Sequence, residues 1–218
     1  MSLRIPKARY SILLLIIGQL TACAAGVRLS EPDRTGLNSQ AVIHVVHYES
    51  ALPRLQNRAK TGMPTPAAVR RHAAADPAAL VAQSLSQLLA KKEKLKNLRI
   101  EPRHLPLPVA KNATAYREKF RKGLVLELWT DAWSFAALPA DPNTYAVILR
   151  VHARLATVQA GRVLWSTGRC RVDGNNGDRE LRLLGKELTS GTKLRKLLAA
   201  ARDECARQLV RDFGVHGP

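Results

Sequence analysis

Acidic residues are scarce in this chain. Its 218 residues hold 17 Asp and Glu against 35 Lys and Arg, a formal charge of +18. The acids are also scattered, so the paired carboxylates of a hydrolytic site are missing. Glu127 and Asp131 come nearest, four apart on one predicted strand face with Trp129 between them. They read better as part of a covered sheet surface than as a catalytic pair. There are only three cysteines. None has a metal-ligand spacing with histidine, and no glycine-rich phosphate loop or nucleophile elbow is present. His44 and His47 lie three apart on a predicted strand, which places them on opposite faces and argues against a shared metal. No catalytic residue, metal ligand or cofactor site emerges, and no enzyme is expected. Aromatics make up only 5% of the chain. Trp129, Trp133 and Trp165 are read as an aromatic cluster that packs in the core, since a carbohydrate or lipid platform would need them exposed.

Long apolar runs are absent too, apart from one near the N-terminus. There Arg4, Lys7 and Arg9 precede an uncharged stretch through Ile17, the layout of a secretory signal. That stretch is too short to span a bilayer comfortably, and no second segment is long and apolar enough. It ends in Leu20-Thr21-Ala22-Cys23. A Leu, a small residue before the cut and a Cys after it resemble the lipobox of bacterial lipoproteins. The resemblance implies cleavage after residue 22, a diacylglyceryl thioether on Cys23 and an acylated new N-terminus. Ala24, not Asp, follows, which in such lipoproteins permits sorting to the outer membrane of a Gram-negative cell. The expected localisation is therefore lipid-anchored and facing the periplasm. In that setting the anionic candidates for a basic chain are lipid headgroups, lipopolysaccharide phosphates and other envelope polymers. Export argues against nucleic acid.

Residues 23–40 mix Gly, Ser, Pro, Asp and Asn without a period and read as a flexible tether. Residues 41–218 read as a single domain. Ala41–Tyr48 is a β-branched strand, apolar on both faces. Residues 50–75 form a basic, Pro-containing insertion with about one helical turn near Ala67–Ala74; Arg54, Arg58, Lys60, Arg70 and Arg71 are candidate contacts for an anionic partner. Asp76-Pro77 is a helix start, with an N-cap acid before Pro at the first helical position. The helix runs over 77–96, and Lys91, Lys92, Lys94 and Lys96 crowd its end, where cations suit the helix dipole. They are either a solvated helix end or further partner contacts.

A short strand is predicted over Leu98–Leu107, and 111–122 is polar with a turn of helix. Alternating apolar residues then predict a three-stranded meander over about 123–172, with Leu124, Leu126 and Leu128 on one face and Val125, Glu127, Trp129, Asp131 and Trp133 on the other. On the second strand Arg150, His152 and Arg154 oppose an apolar face from Tyr145 to Leu155. A short helix is predicted over 178–188 and a longer one over 193–213, capped by Thr192. Cys170 lies on the last strand, and Cys205 on the buried stripe of the last helix. They bond if that helix packs on that strand face, in a compartment that permits disulfides; otherwise they are two small buried residues.

The fold class is thus α+β: a mixed, largely antiparallel sheet covered by the helices at 77–96 and 193–213. The element order, with the hairpin Tyr145 to Trp165 and its Gly161-Arg-Val-Leu-Trp165 run, resembles a small periplasmic domain. That domain is shared by the curli-secretion lipoprotein, the lipoprotein activator of penicillin-binding proteins and the N-terminal domain of TolB. The resemblance covers most of 41–213, and the basic insertion has no counterpart in the compact versions. Two functions follow as expectations. One is a membrane-anchored, non-catalytic interaction or assembly factor of the cell envelope, with a protein partner or an anionic envelope polymer. The other is an accessory in lipid or lipopolysaccharide transport, which needs an apolar groove.

Overall fold

The structure, a computed structural model, describes residues 26–40, 42–56, 64–73, 75–102, 113–166, 168–176 and 179–214. The signal at 1–22, Cys23, Arg58, Lys60 and the 103–107 part of the strand expected over 98–107 lie outside the described residues.

Its frame is a hairpin of two long strands, β4 (Leu124–Leu138) and β5 (Asp141–Thr157). Alternation along both is what makes them strands, since each buries one apolar row. β1 (Ile43–His47) and the three-residue β2 (Arg54–Gln56) pair in parallel with the lower and upper halves of β4, and β3 (Leu98–Ile100) pairs in parallel with β1. On the other side β5 pairs antiparallel with β6 (Val163–Trp165), β7 (Arg169–Asp173) and β8 (Arg182–Leu184) in turn. The result is an eight-stranded mixed sheet.

One sheet face carries Leu124, Leu126, Leu128, Tyr145, Val147, Leu149, Val151 and Leu155 into the main core. Three helices cover it: α2 (Pro66–Ala73), α3 (Pro77–Lys92) and α5 (Gly191–Gly214). The α3 start is as its sequence predicts, with the Asp76 carboxylate accepting from Ala78 N at 2.8 Å. Among the described residues, the other face is covered at one end only. There α4 (Ala113–Phe120) lays Tyr116 and Phe120 on Val46, Tyr48, Val125, Ala156 and Val158.

Several expectations are corrected. The tether over 23–40 is folded onto the domain from residue 26. Leu29 and Leu37 are 4% and 1% exposed, and α1 (Glu31–Gly36) starts at a Ser30 cap. The Asn97 amide donates to Leu37 O and Gln40 O, and Arg34 donates to Phe213 O at 2.6 Å. This order comes from tertiary partners, which a segment without periodicity does not display. The helix over 77–96 ends at Lys92, because Lys94 takes φ 56° and turns Leu95, 3% exposed, into the core. The helix over 178–188 is instead a strand between two short 3-10 turns, since Arg182–Leu184 fills the free edge of β5 opposite Thr144–Ala146. The last meander strand is broken between β6 and β7 at Gly168, where a Cβ would lie 2.4 Å from the Trp165 ring and 2.8 Å from Ala153 O. A bulge between Thr130 and Ala132 moves Trp133 to the helix-covered face, opposite Leu149.

The three tryptophans therefore form no single cluster. Trp129 lies on the open face stacked on His152, Trp133 packs against Phe135, and Trp165 against Phe213. Cys170 and Cys205 are disulfide-bonded, joining β7 to α5 with Cα atoms 5.1 Å apart.

Candidate functional site

The basic residues singled out in sequence do not form one surface. Arg54 is exposed on β2, with no ion-pair partner among the described residues. Arg70 is engaged internally: it reaches Asp76 at 3.4 Å and lies 5.5 Å from the Trp133 ring centre. Arg71 is exposed on α2. Lys91, Lys92, Lys94 and Lys96 are all exposed, but at the far end of α3. That helix has 16 residues, so they stand about 24 Å from Asp76. The two groups serve opposite ends of the domain. His44 and His47 also part company: His44 bonds Glu101 at 2.7 Å beneath Phe120, while His47 lines a cleft with Arg70 and Arg71.

Glu127 and Asp131 have separate roles. Glu127 is fully buried under α4. It accepts from the Tyr48 hydroxyl and from Arg154 Nε at 2.7 Å, and Arg154 also donates to the Tyr116 hydroxyl at 3.0 Å. Burial, then the Glu127 charge, pushes the Tyr48 phenol far above its ordinary range; burial and the hydrogen bond to Glu127 do the same for Tyr116. Burial opposes the Arg154 charge, but Glu127 and Tyr116 outweigh it and raise the guanidinium pKa. All four members are bonded to one another. This is a buried structural network that ties α4 to the sheet.

Asp131, at the bulge, is exposed instead and pairs with Arg150 at 3.6 Å and His152 at 3.7 Å. It stands at a site on the open sheet face where charged side chains converge on open space. A cleft of about 340 Å³ lies between the β2 edge, the bulge, and the open faces of β5 and β7. Arg54, Arg150 and Arg171 line it, with Asp131, Ser134, Ile148 and Leu52, the last 54% exposed. Two further lining residues, Thr130 and Trp133, keep a buried hydroxyl and a buried indole N–H without a hydrogen-bond partner among the described residues.

Register builds this surface. Ala132, Arg150 and Arg171 are cross-strand neighbours, and the next row is Trp129, His152 and Arg169. Trp129 and His152 stack with ring centres 5.2 Å apart. Burial, then the nearby Arg169 charge, depresses the His152 pKa against the opposite pull of Asp131. The row is therefore cationic through its arginines, with a neutral aromatic stack beside them. Sequence reasoning placed Arg150, His152 and Arg154 on one face but missed Arg169 and Arg171. The signal was their alternation with Cys170 and Val172; the pairing that sets them beside Arg150 is long-range.

No family model and no curated protein sequence matches the chain. Solved structures with a similar backbone include the PelC dodecamer of Paraburkholderia phytofirmans, 15% identical, with 81% of this chain and 94% of that chain covered at a TM-score of 0.32. A Xanthomonas campestris protein of the DUF330 family is 11% identical over 84% of this chain and 90% of its own, at a TM-score of 0.40. The lipoprotein GNA1162 of Neisseria meningitidis is 16% identical over 70% of this chain and 94% of its own, at a TM-score of 0.33. Likenesses this distant assign the chain to no family, and its function has to be argued from its own surface.

Proposed function

We propose that this chain is a non-catalytic binding protein of the bacterial cell envelope, lipid-anchored through Cys23 in the outer membrane and facing the periplasm. Its partner is an envelope protein that presents an acidic segment to the open sheet face. One observation carries the reading: Arg54, Arg150 and Arg171 line a common cleft on the sheet face that the helices leave uncovered. The exposed Leu52 and the Trp129–His152 stack add apolar surface beside these arginines. Aromatic residues and arginine are the types enriched where proteins meet. A carrier of lipid chains needs an apolar groove, but each of the three clefts described has charged lining. Arg54 and Asp131 line the first, Asp33 and Arg162 the second, and Arg70 and Asp76 the third.

The test is a photo-crosslinking residue at Leu52 in living cells. A discrete protein adduct is expected, reduced about tenfold by Arg54→Glu with Arg150→Glu, since reversing charges at a complementary interface opposes encounter and binding. A lipid or glycan adduct, or a protein adduct indifferent to the charge reversals, overturns the protein-partner reading.

A further inference from the structure

We infer that the edge of the domain formed by β6, β7 and the C-terminal half of α5 lies against the bilayer, in contact with anionic phospholipid headgroups. This rests on the reading of Cys23 as the lipid anchor. The first fixed point of the described chain is Val27, and it sits on that edge. Val27 N donates to the Ser166 hydroxyl at 2.8 Å, and Ser166 N donates to Val27 O at 2.7 Å. Val27 is the fourth residue after Cys23, so the anchor lies within about 14 Å of Val27 even if the chain between them is fully extended. A domain of this size has a radius of gyration of about 16 Å. The reach is therefore less than the domain's own radius, and the far side cannot turn to the membrane.

The surface at that point fits an anionic headgroup layer. Arg28 and Arg169 are exposed and have no acidic partner among the described residues. The Arg162, Arg207 and Arg211 side chains are 61%, 53% and 62% exposed, despite ion pairs to Asp33 and Glu204. Val27 itself is 44% exposed, an apolar side chain next to the anchor. The acids on this edge are occupied: Asp212 accepts from Trp165 Nε1, and Glu204 accepts from Gln208 and Arg207. Strand addition is blocked, because the Gln208 amide fills the outer backbone positions of Arg171 on β7. What the edge offers is cationic charge, and each basic side chain near an anionic leaflet adds about 1 kcal/mol of attraction, a roughly fivefold effect.

The experiment uses the full chain purified from membranes and placed in phosphatidylcholine vesicles with or without phosphatidylglycerol, or in neutral detergent. Phenylglyoxal modification of each arginine is followed by peptide mass, and intact mass is read on the same sample. On the anionic vesicles Arg28, Arg169, Arg207 and Arg211 are expected to react about fivefold more slowly than in detergent, while Arg71 on α2 and Arg195, exposed on the N-terminal half of α5, keep their rates. Protection that persists on phosphatidylcholine alone overturns the role of headgroup charge. An acylated chain beginning at Cys23 whose edge arginines are unprotected overturns the orientation and leaves the anchor standing. A chain without acyl groups overturns both.

Discussion

Glu127 shows how much of this protein's stability a single side chain can control. Its carboxylate is completely buried and held by Arg154 and the Tyr48 hydroxyl. Removing one partner of a buried ion pair leaves the other charge desolvated and unmatched, which costs about 3 to 5 kcal/mol. Glu127→Ala is expected to lower unfolding stability by that amount, read by urea denaturation. Replacing both partners, Glu127→Leu with Arg154→Met, should recover a good part of the loss, because no charge is then stranded. A Glu127→Ala protein as stable as the parent would show that water reaches the site. At this scale the sequence was half legible. The alternation of β4 put Glu127 on the face opposite Leu126, and β5 showed Arg154 on its polar face, but the tyrosines that complete the network arrive from β1's end and from α4.

At the scale of elements, the local signals carried well. The Asp76-Pro77 helix start, the alternation of the β4–β5 hairpin and the buried stripe of α5 are written in neighbouring residues and fall on the elements they predict, although α5 begins at Gly191, so that Thr192 lies inside the helix instead of capping it. β2 and β8 were not legible, because three-residue strands have no period of their own and exist only by pairing along the long hairpin. The Thr130–Ala132 bulge escaped for a related reason: one extra residue reverses every later side chain, and only the partner strand reveals it. The Cys170–Cys205 bridge combines both kinds of signal, since its cysteines lie on elements legible separately whose contact is tertiary. Its sequence separation is 35 residues, for which the chain-entropy relation gives roughly 3 to 4 kcal/mol. Reduction, or Cys170→Ala with Cys205→Ala, should lower stability by about that amount. Amide exchange should rise first in residues 204–213 of α5, which would lose its covalent tie to β7 and keep core packing and side-chain ties such as Gln208 to Arg171 and Trp165 to Asp212. Unchanged exchange there would mean that packing alone holds the helix.

For the whole molecule, the segment before β1 decides how the domain is carried. Its composition reads as a tether, yet from Val27 onward it is part of the fold, closing one end of the core with Leu29 and Leu37 and tying α1 to the last turn of α5 through Arg34. A tether would let the basic cleft point anywhere relative to the N-terminus; a docked segment fixes the cleft's attitude to residue 27, and on the proposed Cys23 anchor this would set the Ser166 edge toward the bilayer and leave the Arg54 cleft open to the periplasm. The same fact makes the segment testable by stability. Leu37 is 1% exposed and packs in the main core. Truncating a fully buried leucine costs about 2 to 5 kcal/mol, through lost transfer free energy and the cavity left behind. Leu37→Ala is therefore expected to lower the urea midpoint with the slope of the transition unchanged. If residues 26–40 were a tether, the substitution would leave the midpoint where it was, since a solvent-exposed leucine in a flexible chain contributes nothing to the folded state. A lowered midpoint would show that the segment holding Leu37 belongs to the folded body of the domain, so that any anchor at the proposed Cys23 would act on that body without a long spacer.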